Sequence, residues 1–469
     1  MNLRRAVSIV VGASAALALA GTAGAAAWKY SADEGRPVGS WQEARSARTP
    51  VAAQQPAATT GPAGTPSSSP AADAGADDRT VKPQAGASAS ASPAEPGGRT
   101  AESATAKGGD GRQKVGELLS IDKLLGYGAP EREVFHYPRA SYVKVHFSRM
   151  AMLPGDYVTV SDGKGRESYR YDAPRLLDGV STDRWAMSIT GDTAIVEMHR
   201  GGGNLVGSLL GRLGVNVDQV ARGYSRQEQA RVPESQLTAP GRTGREESVC
   251  GSDESKDAVC YRSADPVAYT RSKAIARLLI NGTELCTGWR VGSKNRMLTN
   301  NHCFDNSANA YETEVWFNYQ CATCGGFEVF KPTKVWGDKV LATEHVLDFT
   351  LFTVENFRAV QKFGYLSLDT ARPAKGQELY VPQHPAGEPT RIAGRNGARA
   401  GTCAVADPAF DGYAADSDVS YYCDTEGGSS GSPVLSRKTN RVVALHHFGG
   451  CPNSGVRADL LNAKIKSYL

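Results

Sequence analysis

The nine cysteines all lie between Cys250 and Cys451, and this clustering constrains the fold more than any other feature of the 469-residue chain. Thiols gathered this way behind an N-terminus that reads as an export signal mark one disulfide-bonded domain over 246–469. Everything before residue 246 must fold, or stay unfolded, without covalent staples.

The export reading rests on the first 27 residues. Arg4 and Arg5 precede an uncharged, mostly apolar run from Ala6 to Ala20, and small residues follow through Ala27. This is the layout of a signal peptide over 1–27, cleaved near Ala25 or Ala27. The run is short of the roughly 20 apolar residues that a spanning helix needs, so no membrane association is expected after signal removal. The mature protein is expected to be secreted, with attachment to a cell wall left open.

From 28 to 112 the chain is dominated by Ala, Pro, Ser, Gly and Thr and has few large apolar residues. It cannot bury enough surface to offset its ordering entropy and reads as a disordered linker. Over 113–245 regular patterning begins. VGELLSIDKLLGYG has apolar residues at helical spacing and predicts a helix. SYVKVHF, DYVTV, ESYRY, WAMSI and TAIVEM then alternate with period two between Gly and Asp turns, which predicts a β-sandwich-like block over about Ala129–Arg200. Gly214–Pro240 reads as a connecting segment. His136, His146 and His199 fall in strand-like runs and read as packed or surface residues. Lys plus Arg at 53 against Asp plus Glu at 49 leaves a net +4, too little on this length to imply a nucleic acid partner.

Three short stretches carry chemistry. LTNNHC places His302 beside Cys303, DFTLF places Asp348 in a strand-like run, and GGSSGSPV sets Ser430 among glycines. A serine hydroxyl needs a neutral imidazole to take its proton, and that imidazole needs a carboxylate to fix its tautomer. Glycines let the turn aim backbone amides at a developing oxyanion. In the order His, Asp, Ser, with spacings of 46 and 82 residues, the stretches resemble the chymotrypsin-like serine proteases. That resemblance implies an all-β domain of two packed antiparallel β-barrels over 246–469. It makes His302, Asp348 and Ser430 catalytic and assigns the amides of Gly428 and Ser430 to the oxyanion hole.

The segments CTGWRV, LTNNHC, VWFNYQCATC, DFTLF, GSSGSP and VVALHHFGGC follow the order seen in bacterial lysyl endopeptidases and their relatives. This closer resemblance implies disulfides Cys286–Cys303, Cys250–Cys451 and Cys260–Cys324, with Cys403 and Cys423 then the fourth pair. Cys321 is left over, and the choice between Cys321 and Cys324 stays open. A CxxC metal or redox site is disfavoured, because no second CxxC or CxxH is nearby. Neither a metal nor an organic cofactor is expected.

For specificity, Asp424 stands six residues before Ser430, where trypsin-like enzymes put the carboxylate at the base of the pocket; this favours Arg or Lys on the acyl side. Lysyl endopeptidases place theirs after the GG segment, where CPNSGV offers none. Glutamyl endopeptidases read an acidic side chain partly through a histidine at the place of His446 and His447, which with Phe448 and Gly449 form the remaining substrate-binding positions. A Glu preference and a broad specificity are the alternatives.

No IVGG-type start precedes the domain. Ser429 replaces the Asp that receives a new amino terminus in chymotrypsin-like zymogens, so that switch is not expected. Residues 113–245 read as a propeptide, a partner for the protease within its own chain, or as a retained accessory domain. Arg242 and Arg245 are candidate self-cleavage points, giving a mature start at Glu246. Asn281-Gly282-Thr283 reads as a turn. The sequence thus predicts a secreted serine endopeptidase acting on proteins or peptides; the rival is a secreted binding protein with an unproductive protease fold.

Overall fold

The computed structural model describes residues 37–40, 111–174, 183–201, 213–233, 249–250, 252–394 and 403–469. The signal peptide, most of the linker, Arg242, Arg245 and Glu246 lie outside these residues.

Six strands close into an antiparallel barrel. Ile275–Ile280 pairs with both Glu284–Arg290 and Glu314–Phe317, and Thr333–Glu344, Phe349–Val354 and Met297–Thr299 complete the circuit. IARLLI and FTLFTV are apolar at nearly every position because both of their faces are covered, and every residue in them is buried. Leu278, Ile280, Val315, Phe317 and Phe352 fill the interior.

The second sheet has eight strands in the order Lys256–Asp257, Arg391–Gly394, Leu379–Gln383, Pro433–Ser436, Val442–Phe448, Asn453–Arg457, Asp418–Tyr421 and Val405–Phe410. Its far strand curls back toward Leu379–Gln383. The Leu379 N–H bonds Cys403 O at 2.9 Å, and the Val405 N–H bonds Gln377 O at 3.0 Å. Trp289, Leu298 and Leu351 from the first barrel and Tyr380, Leu435, Leu445 and Val456 from this sheet share one core, sealed by Leu461 and Ile465 of the helix Ala458–Ile465.

The preceding region consists of two antiparallel sheets around a common core. One runs Gly116–Leu125, Gly214–Gly223, Tyr142–Ala151, Arg184–Trp185, with Ile189–Thr190 also on Tyr142–Ala151. The other runs Arg132–His136, Thr193–His199, Tyr157–Ser161, Ser168–Asp172. Val143, Val145 and Phe147 face Val158, Val160, Val196 and Met198 across the interior.

Three expectations are corrected here. VGELLSIDKLLGYG is not helical: Gly116–Leu125 is a strand, held by its ladder to Gly214–Gly223. Its leucines fall on both faces, Leu118 being 52% exposed and Leu125 1%, which imitates a helical repeat. The presumed connector from Gly214 contains that ten-residue partner strand, which lies between two others in its sheet. Within the linker, Pro37–Ser40 forms a strand paired with Glu328–Phe330.

The two-sheet region meets the first barrel through buried charge. Lys144 Nζ lies 2.8 Å from Glu314, and Lys334 Nζ lies 2.6 Å from Glu167, with all four side chains essentially inaccessible. Ser188 donates through its N–H and hydroxyl to Glu314 at 3.0 and 2.6 Å, and Lys334 donates to Ser188 O at 2.7 Å. Burial alone would raise the Glu314 carboxyl, but Lys144 and Lys334 hold it below the usual carboxylate range. Burial pulls the Lys334 ammonium down despite Glu167 and Glu314.

Candidate active site

His302 sits in the turn that leaves Met297–Thr299, and two constraints hold that turn. Cys303 is disulfide-bonded to Cys286 in the neighbouring strand, and the Asn300 side-chain amide donates to Asp348 O at 2.9 Å. Asp348 closes the tight turn before Phe349–Val354 at φ +36°, a left-handed conformation that Asp tolerates better than most residues. Its Oδ1 accepts the His302 N–H at 2.9 Å, and its Oδ2 lies 2.7 Å from His302 Nδ1. An ionised carboxylate can only accept, so Nδ1 carries a proton, and in the neutral imidazole Nε2 then holds the lone pair. Nε2 is buried and makes no hydrogen bond. The imidazole is therefore held in the tautomer of a general base.

Ser430 lies on the turn Gly427–Gly431. Gly428 and Gly431 have φ of +99° and +87°. A Cβ on Gly431 would come 2.1 Å from Thr287 O, so only glycine fits there. Ser430 O accepts the Thr287 N–H at 2.8 Å, and Gly428 O accepts the Thr287 hydroxyl at 2.9 Å. Thr287 follows Cys286, so the same strand ties the serine turn and, through the disulfide, the histidine turn. Ser429 is buried within the turn, its hydroxyl accepting the Glu426 N–H at 3.3 Å.

His446 and His447 differ sharply. His447 Nδ1 lies 3.0 Å from Asp348 Oδ2, and its Nε2 lies 2.6 Å from Asp418 Oδ2. Both ring nitrogens face acceptors, so both must donate, and His447 is an imidazolium. Burial works against that charge, but Asp418 and Asp348 push the imidazole up to about 9. Asp348 is likewise opposed by burial, yet His302 and His447 hold its carboxyl far below the ordinary range. His446, one residue earlier, lies 2.7 Å from the Tyr421 hydroxyl through Nδ1. Burial first, then His447 and His302, pull it down to about 3, so it is neutral at working pH. Phe448 is buried beside His447, their ring centroids 3.8 Å apart, and Gly449 follows it on the same strand end.

Asp424 is largely buried. Its Oδ2 accepts the Glu254 N–H at 2.9 Å, and its carbonyl accepts the Gln383 amide at 2.7 Å. Burial, resisted by that N–H and reinforced by the Asp253 and Glu254 carboxylates, pushes its carboxyl up to about 6.

The structure pairs Cys250 with Cys451, Cys260 with Cys324, Cys286 with Cys303 and Cys403 with Cys423. Cys321 stays a buried thiol. Cys286, Cys303 and His302 bring possible ligand atoms within 4.8 Å of one another, but both sulfurs are spent in the disulfide and offer no thiolate to a metal. Asp418, which the sequence analysis did not single out, joins the site through His447; nothing local in DSDVSYYC separates it from Asp416.

Residues 286–445 match the family model of the trypsin-like peptidase domain, a span that takes in His302, Asp348 and Ser430. A secreted RxLR effector protein of Plasmopara viticola is 39% identical over 223 residues, covering 46% of this chain and 54% of its own length. The chain thus spans about half the length of that relative. An uncharacterised protein of Sinorhizobium fredii is 28% identical over 192 residues, covering 38% of this chain and 28% of its own. Among solved structures, a Glu endopeptidase in complex with MPD aligns with a TM-score of 0.34 at 20% identity, covering 47% of this chain and 98% of its own. A serine endoprotease from Yersinia pestis aligns at 0.33 and 11% identity, covering 44% and 66%. Among the described residues, no helix is long and apolar enough to cross a membrane.

Proposed function

We propose that this chain is a secreted serine endopeptidase in which His302, Asp348 and Ser430 hydrolyse peptide bonds, with the second sheet serving as the second barrel of a chymotrypsin-like domain. The observation that carries the reading is the His302–Asp348 pair at 2.7 Å with Nε2 left as an acceptor. Ser430 attacks the scissile carbonyl while His302 Nε2 takes its proton, and Asp348 stabilises the imidazolium. The Gly428 and Ser430 amides receive the oxyanion. His302 then gives the proton to the leaving amine, and water repeats the sequence on the acyl-enzyme.

Asp424 supports an Arg or Lys preference, because a half-buried carboxylate gains most by pairing with a cation. A neutral His446 offers no standing charge to an acidic side chain, and the charge on His447 is already engaged by Asp348 and Asp418, which disfavours the Glu alternative. The two-sheet region is an intramolecular partner of the protease, in the role of a propeptide.

The test is labelling with a serine-directed fluorophosphonate beside cleavage of casein and short Lys, Arg and Glu substrates. Labelling should vanish in Ser430→Ala, whose turnover should fall at least ~10⁴-fold. Asp424→Asn should lose the Lys and Arg preference. Label retained by Ser430→Ala, or a wild type that neither labels nor cleaves, would overturn the reading.

A further inference from the structure

The region before the protease domain reaches into the site. Gln113–Lys114 pairs antiparallel with Glu284–Leu285, with Gln113 opposite Leu285 and Lys114 opposite Glu284. The next residue of the partner strand beyond Leu285 is Cys286, so the end of the segment at Gln113 is the one nearer the disulfide beside His302. Arg112 is fixed there by an ion pair to Glu284 at 2.7 Å. The Gln113 side chain lies directly on the serine turn: a Cβ on Gly427 would come 1.9 Å from Gln113 Oε1. Leu285, which carries the strand, packs under Gly428, where a Cβ would come 2.5 Å from its Cδ2. Gln113 is 2% exposed, in a segment whose neighbours in sequence are mostly polar.

The strand is also clamped from behind. The Val115 N–H bonds Thr283 O at 2.8 Å, and Val115 O accepts the Tyr224 N–H at 2.8 Å. The Gln229 amide donates to Lys114 O at 2.9 Å from the short helix Arg226–Gln229, whose Ser225–Glu228 capping box fixes its start. Arg226 lies 3.1 Å from Glu388 on the protease side. Val115 is buried among Tyr142, Leu279, Leu285, Trp316 and Tyr319. An extended segment hydrogen-bonded to the open side of Glu284–Leu285, at the end of a barrel strand beside a nucleophile, occupies the place an extended peptide would take by strand addition.

We propose that Gln113–Val115 is a built-in occupant of the substrate cleft, covering the side on which the leaving half of a peptide would lie and keeping the chain latent toward protein substrates. The proposal rests on the serine endopeptidase reading above. Because the strand lies over Gly427 and the Glu284–Leu285 edge, and not over Asp424, it should exclude leaving-group residues more than acyl-side residues.

The experiment compares the full chain with Val115→Asp on two substrates that share one acyl-side tripeptide. One ends in a small chromogenic amide, and the other continues for three residues past the scissile bond. Val115→Asp should raise kcat/KM for the extended peptide at least ~10-fold, as when a competent state populated below about a tenth is released, and change the short substrate less than about twofold. Gln229→Ala, which removes one of the two side-chain amides donating to Lys114 O, should move both in the same direction by less, and serves if Val115→Asp does not fold. Turnover of the short substrate with no gain on the extended one in either variant would overturn the strand's role. Absence of turnover on the short substrate in every protein would overturn the peptidase reading instead. Amide exchange then decides the strand independently: protection at Val115, whose N–H donates to Thr283 O, and at Leu285 should be lost in the variants, and unchanged protection would overturn it.

Discussion

Two clusters of buried ionised groups serve different ends. At the junction of the two-sheet region and the first barrel, Lys144 and Lys334 face Glu314 and Glu167, a set whose formal charges cancel. At the candidate active site, Asp348 and Asp418 share one imidazolium, His447, so the set keeps a net negative charge, which in the proposed mechanism would stabilise His302 when it becomes cationic. The first cluster has no member whose ordinary titration range lies near neutral pH, and it fixes two parts of the fold together. The second is built around a histidine and stays sensitive to pH. Buried charge here serves attachment in one region and chemistry in the other.

Substitutions can break that contrast. Asp348→Asn should lower kcat by about 10⁴-fold, since an amide no longer fixes the tautomer of His302. Its thermal midpoint should move far less than that of a junction variant, and steady-state kinetics beside a melting curve would show both. Glu314→Leu leaves Lys144 and Lys334 in the junction without their shared carboxylate, and should cost about 3–5 kcal/mol by denaturant titration. The folded fraction should keep its fluorophosphonate labelling rate; a slowed rate would mean that the two clusters are coupled.

The smallest effect concerns His447. Its folded value of about 9 stands above an unfolded value near 6.5, so the contribution is complete below about pH 6.5 and lost as pH rises through about 9. Unfolding free energy should fall by up to about 3 kcal/mol across that window, and His447→Gln should remove the slope. A slope that survives in His447→Gln would place the titrating group elsewhere.

How much of this was legible in the sequence depended on how local each signal is. LTNNHC, DFTLF and GGSSGSPV each carry their meaning within a few residues, so the positions of His302, Asp348 and Ser430 could be read in order. The charge on His447 arises from two carboxylates that come together only in the fold, one of them Asp418 in a different strand. Gly214–Gly223 was hidden by its glycine ends and by a register shift between Val217 and Gln219 that breaks the alternation of its valines. Gln113 gave no signal, because its role comes from what it touches and not from its neighbours in sequence.

The disulfides carry one more consequence. All four join positions from Cys250 onward, and none reaches the residues before it. While the chain is whole, the blocking strand meets its barrel strand at an effective concentration set by the covalent connection, and not by the amount of protein present. A single cut between 233 and 249 would leave no covalent bond between the two parts. Occupancy of the cleft would then follow the dissociation constant and the total protein present. Latency would become a matter of dilution: a protein concentrated where it is made would stay closed and, once spread into a larger volume, would open without any further chemical step.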